Sequence, residues 1–173
     1  MASVNPSNSS GSTSRTDSRK RSDCDSDGAP ISNSASSDSS TPFIAVPWEH
    51  EIQIRVRYHE TDGQGRVHHT NYINYFEIAR VEMLRSSGRS YRDLETSGVM
   101  LVVTSVNCNY YQGAKDDDLL TVKTKVTKAK GVRIRHEYQI FLEDTLVADG
   151  NTTVAAIDPT GKVVRLPDWL TKK

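Results

Sequence analysis

The chain has 173 residues, with 22 Lys or Arg against 22 Asp or Glu, a balance that argues against a general nucleic-acid surface. It holds no apolar run of the roughly 18 residues that a membrane-spanning helix needs, and its N-terminus lacks the apolar stretch of a secretory signal. Two cysteines, Cys24 and Cys108, make no disulfide framework and fit a reducing compartment, so a cytoplasmic location is expected.

Fifteen of residues 1–40 are Ser, and that stretch contains no aromatic residue. It cannot bury enough apolar surface to offset the roughly 1–2 kcal/mol of backbone entropy per ordered residue. Residues 1–45 are therefore expected to form a disordered tail and residues 46–173 a single domain. The Arg- and Ser-rich opening up to Arg21 has the composition of an organelle transit peptide. It lacks an apolar helical face, however, and Asp23, Asp25 and Asp27 follow at once, which argues against targeting.

The first periodic segment runs over 52–58, where Ile52, Ile54, Val56 and Tyr58 alternate with Gln53, Arg55 and Arg57 as in a strand with one buried face. Residues 59–69 break every period, contain Gly63 and Gly65, and read as a loop. A helix follows, capped by Thr70 or Asn71 and stopped at Gly88, with Tyr72, Phe76, Ala79 and Met83 on its apolar face. A helical turn is expected over 91–96. Four strand-like segments come next, over 99–111, 119–127, 132–142 and 146–157. In the first of them Val102, Thr104, Val106, Cys108 and Tyr110 share a face.

This order predicts an α+β fold, a five-stranded antiparallel sheet wrapped around one long helix. An outer edge and part of a face stay uncovered, which points to a homodimer or homotetramer.

Titratable groups crowd the loop. Helix N-termini present unpaired N–H groups and the positive end of the helix dipole, so a carbonyl oxygen placed there is polarised, while a nearby carboxylate attacks the carbonyl or activates water. Asp62-Gly63 is equally a common turn pair, and from spacing alone the Asx turn and the reactive carboxylate both stand. His59, His68 and His69 have no cysteine or acidic residue at metal-site spacing, so no metal centre is expected.

The pattern Val56-x-Tyr58, Thr61-Asp62-x-x-Gly65-x-Val67-x-His69-x-x-Tyr72, then Tyr75-Phe76-Glu77-x-Ala79-Arg80-x-Glu82-x-Leu84 and Gly88 resembles the signature of the hotdog-fold acyl-CoA thioesterases. The similarity is to the branch with 4-hydroxybenzoyl-CoA thioesterase and the Tol-Pal-associated thioesterase. It implies a hotdog fold and thioester hydrolysis, with Asp62 as nucleophile or general base, the His69 backbone N–H polarising the carbonyl, and Gly65 beside it. The His69 side chain matches the Tol-Pal-associated branch. Glu60 replaces the usual Asp of an Asp-x-Asp motif, and Arg66 occupies a place that is usually apolar.

Coenzyme A would enter as part of the substrate, not as a cofactor. Its phosphates need donors, and Lys128, Lys130, Arg133 and Arg135 belong to the dense basic run of the domain. Tyr58, His68, Tyr72, Tyr75, Glu77 and Asn107 are expected around the substrate. A hotdog dehydratase or hydratase using Asp62 with a histidine, and a non-catalytic acyl-binding subunit, are the competing readings.

Overall fold

The computed structural model describes residues 46–171, so the expected tail over 1–45 lies outside the described residues. The elements run β1 (Glu49–Arg55), α1 (His69–Arg85), α2 (Tyr91–Thr96), β2 (Met100–Tyr110), β3 (Leu119–Lys130), β4 (Arg133–Leu142), β5 (Thr145–Ile157) and α3 (Asp168–Thr171). All neighbouring strands pair antiparallel, in the order β1-β3-β4-β5-β2. The strands on either side of α1 in sequence thus become the two edges of the sheet, and the helix packs against the face between them. This is the hotdog arrangement that the resemblance implies. Among the described residues no helix is long and apolar enough to cross a membrane.

Tyr72, Phe76, Ala79 and Met83 are buried as the helical spacing predicts, together with Tyr75. Phe76 stacks on Tyr138 with ring centroids 4.4 Å apart. That approach needs a gap in the sheet: a Cβ on Gly150 would lie 2.7 Å from the Phe76 ring and 2.3 Å from the Asn107 carbonyl oxygen. The glycine in β5 leaves room for the Phe76 ring against the sheet. Along β3 and β4, Leu120, Val122, Ile134, Tyr138 and Ile140 fill the rest of the inner face, each large apolar side chain contributing about 1.5–3 kcal/mol on burial.

Three expectations change. Strand β1 ends at Arg55, and the chain turns at Tyr58–Glu60 into a single 3-10 turn. Val56 is still buried, but Tyr58 is 82% exposed instead of sharing its face. The α1 N-cap is His68, whose side chain accepts the Thr70 N–H, rather than Thr70 or Asn71. In β2 the pairing with β5 slips between Val103 and Ser105. Leu101 and Val103 stand opposite the buried Ala156 and Val154, whereas Val106 and Tyr110 stand opposite the buried Thr152 and Ala148. The extra residue, Thr104, therefore switches the inward parity midway, a β-bulge that period-2 reading cannot see.

His136, on the inner face of β4, is buried and its Nδ1 has no hydrogen-bond partner. Burial, and then the charge of Arg80, push its pKa down to about 3. The ring is neutral in the fold and ionises near pH 6.5 when unfolded. Its contribution to stability is complete above about pH 6.5 and is lost as the pH falls towards 3, with a limiting slope of about 1.4 kcal/mol per unit. Urea unfolding from pH 7 to 4 should show this decline, and His136→Leu should flatten it.

Candidate active site

Between the 3-10 turn and α1 the chain forms a tight hairpin in which Thr61 bridges Val67. Asp62 N–H donates to the Arg66 carbonyl at 2.8 Å, and Gly65 N–H to the Asp62 carbonyl at 2.9 Å. Gly65 has φ 68°, a left-handed conformation that costs a glycine little and most other residues more. Asp62 closes the turn with its side chain as well: Oδ1 accepts the Gln64 N–H at 2.8 Å and the Arg66 N–H at 3.3 Å. The Asx turn is thus present. It engages one carboxylate oxygen, and among the described residues it is the only one for which a hydrogen bond is seen.

Glu60 holds the base of this hairpin. Its backbone carbonyl accepts the His68 N–H at 2.8 Å and the Asn71 side-chain amide at 2.7 Å. Its carboxylate is buried, and Oε2 accepts both the Tyr75 hydroxyl and the Arg57 N–H at 2.8 Å. Burial, and then the bond to Glu60, hold the Tyr75 phenol far above its ordinary pKa. One residue therefore ties the exit of β1, the two ends of the hairpin and the first two turns of α1.

The hairpin is docked on the segment after β2. Val67 N–H donates to the Ala114 carbonyl at 2.9 Å, and Arg66 Nη1 reaches the Gly113 carbonyl at 3.2 Å. Arg66 thus lies along the docking segment. At the helix start, the His69 N–H is among the donors that an α-helix leaves without an intrahelical acceptor. The His68 and His69 rings lie together, with centroids 4.1 Å apart, instead of pointing apart as adjacent histidines usually do. His69 also meets Tyr110 edge-on at 6.5 Å, and Tyr110 meets Tyr72 at 5.4 Å.

The other expected residues divide. Asp62, Gly65, His68 and His69 share the hairpin and the helix start. Tyr72 and Tyr75 are buried, Tyr75 fully, so they form the floor beneath that site instead of an open wall. Glu77 is exposed and lies 4.0 Å from Arg80. The bulge in β2 leaves Asn107 on the outer face of the sheet, opposite in parity to Val106 and Cys108, and Tyr58 stands in solvent. Sequence reading placed Tyr110 on a shared face of β2 without bringing it to the site, where it reaches His69, and it missed the buried bonding of Glu60, which no local pattern announces.

The basic run also divides. Lys123 and Lys125 pair with Glu51 and Glu49 across the β1–β3 register. Lys128 instead stands opposite Arg135, and Lys130 opposite Arg133. Like charges facing each other across strands destabilise a hairpin, so these four exposed cations form a surface that an anion would stabilise. They lie at the far end of β3 from the hairpin, on the order of 35 Å away by strand rise.

The model of the thioesterase superfamily matches residues 64–148 of the chain, a span that takes in Gly65, both adjacent histidines and α1, and begins just past Asp62. An acyl-CoA thioester hydrolase, YbgC of Escherichia coli O6:H1, is 35% identical over 107 residues, which are 61% of this chain and 80% of that protein. The acyl-CoA thioesterase YbgC of Haemophilus influenzae is 35% identical over 61% of this chain and 78% of its own. Among solved structures, a DHNA-CoA thioesterase from Staphylococcus aureus superposes with a TM-score of 0.67 at 35% identity, covering 70% of this chain and 85% of that one.

Removing the Tyr75 hydroxyl should leave the buried Glu60 carboxylate one donor short. Tyr75→Phe is expected to lower stability by about 1–3 kcal/mol, read as a shift of the urea unfolding midpoint.

Proposed function

The chain belongs to the thioesterase superfamily, and we propose that it hydrolyses the thioester bond of an acyl-CoA with the Asp62 carboxylate and the His69 backbone N–H. The observation that carries this reading is the tie through Glu60, which joins the base of the Asp62 hairpin to the start of α1.

The thioester carbonyl oxygen accepts the His69 N–H, where the helix dipole stabilises the charge that develops as the carbon becomes tetrahedral. The free oxygen of Asp62 then acts in one of two ways. It adds to the carbonyl carbon, expelling coenzyme A as the thiolate and forming a mixed anhydride that water opens. Otherwise it takes a proton from the water that adds. Both routes release a carboxylic acid and the free thiol of coenzyme A. Gly65 keeps the hairpin side of the site free of a side chain.

Lys128, Lys130, Arg133 and Arg135 bind the phosphates of coenzyme A. Their distance from the hairpin of the same chain argues that they serve the hairpin of a second one. The open edge of β2 carries exposed Val103, Val106 and Tyr110. Two such edges paired antiparallel bring the basic end of one chain level with the hairpin of the other, so the working unit is a homodimer or a larger assembly built from it.

Thiol release from a panel of short, long and aromatic acyl-CoAs tests the chemistry. Asp62→Asn should lose about 100-fold or more in kcat. An intact rate in that variant would remove the carboxylate from the mechanism. No release from any substrate by the parent would favour hydratase or binding roles. Replacing Lys128 and Arg135 by Glu should raise KM for acyl-CoA about tenfold or more and leave KM for the matching acyl-pantetheine, which lacks the nucleotide, unchanged.

A further inference from the structure

The hydrogen bonds to Glu60 hold the α1 start from the loop, and a further bond reaches it from the sheet edge. Tyr110 is the last residue of β2, and its hydroxyl donates to the backbone carbonyl of His69 at 3.1 Å. Its ring meets Tyr72 edge-on at 5.4 Å and His69 at 6.5 Å, yet 46% of the residue stays exposed, so it stands at the open rim beside the helix N-terminus.

This placement depends on the bulge. Without the extra residue at Thr104, the parity that carries Leu101 and Val103 inwards would carry Ser105, Asn107 and Asn109 inwards, and Tyr110 would face away from α1. The Thr104 hydroxyl donates to the Thr153 carbonyl at 3.0 Å and pins the irregularity in place. A bulge near a site re-aims a side chain, and here the side chain it aims reaches the first residue of α1.

We propose that Tyr110 is a positioning residue for the hydrolysis: through the His69 carbonyl it fixes the first turn of α1, and with it the direction of the His69 N–H, against the edge strand. The proposal rests on the reading of His69 as the carbonyl-polarising donor. It adds that the orientation of this donor is set jointly, by Glu60 from the loop side and by Tyr110 from the sheet side. An oxyanion donor contributes most when it already points at the position the oxygen reaches in the transition state. A first turn held on one side only would retain the donor but lose part of that alignment. The cost falls on kcat and not on substrate binding, because the alignment matters once charge has developed on the oxygen.

The test compares the parent with Tyr110→Phe, which keeps the ring and removes only the hydroxyl, using the best substrate of the acyl-CoA panel. Tyr110→Phe should lower kcat about tenfold, the equivalent of one hydrogen bond, with KM changed by less than about twofold. Thermal unfolding of the same protein should show an intact fold. Tyr110→Ala, which also removes the ring contacts, should lower kcat at least as far and reduce stability as well. Turnover by Tyr110→Phe within about twofold of the parent would overturn the proposal, as would a loss confined to KM. A parent that releases no thiol would instead overturn the hydrolase reading on which the proposal stands, so the two failures are distinguishable.

Discussion

The candidate site hangs on the carboxylate and carbonyl of Glu60. A buried carboxylate without donors would cost several kcal/mol, and this one is satisfied by the Tyr75 hydroxyl from α1 and the N–H of Arg57, the residue that caps the 3-10 turn just beyond β1. Because both donors meet the same oxygen, the helix cannot slide relative to the strand without stranding a buried charge. The carbonyl of the same residue then closes the hairpin onto the helix start. Tyr75 is in turn fixed by the packing of α1 on the sheet, so the geometry of an exposed loop is referred back to the core. That is how a segment with glycines at two positions holds a defined shape.

Much of this was legible beforehand. The period-2 runs of β3 and β4 and the helical face of α1 are long and regular, and their buried residues follow the pattern. What escaped has a physical cause in each case. Tyr58 continues the alternation of β1 in sequence, but the backbone leaves the strand at Val56 to start the 3-10 turn. The inward residues of β2 change parity because one residue is inserted, so Val102 and Thr104 leave the face that Val106, Cys108 and Tyr110 share. His136 interrupts an otherwise apolar face, and its burial follows only from what packs above it, including Arg80. The cluster of Asp62, Gly65, His68 and His69 was readable because the loop is contiguous. The bond from Tyr110 to His69, spanning 41 residues, was not.

The two edges of the sheet differ in a way that bears on assembly. Edge strand β1 alternates Glu49, Glu51 and Arg55 along its exposed positions, and its two glutamates pair with lysines of β3. Charged side chains of this kind discourage edge-to-edge pairing. Edge strand β2 carries exposed Val102, Val103 and Val106 instead, so the apolar edge is the one suited to meet a second copy. The chain is also polar along its strands. Asp116, Asp117, Asp118, Glu143 and Asp144 gather at the hairpin end, and Lys128, Lys130, Arg133 and Arg135 sit at the other. An antiparallel pairing places acidic end beside basic end, which favours that orientation over the parallel one.

The Asx turn at Asp62 first looks like a rival to catalysis, because it explains an Asp before a Gly without any chemistry. In the proposed reaction the two roles are compatible, since they use different oxygens. The bonds from Gln64 and Arg66 to Oδ1 restrict rotation of the carboxylate and leave Oδ2 as the oxygen to meet the acyl carbon or a water. A carboxylate free to rotate would have to be ordered in each turnover, whereas one already held by its own hairpin is not. The turn that makes Asp62 look structural is therefore part of what would make it effective.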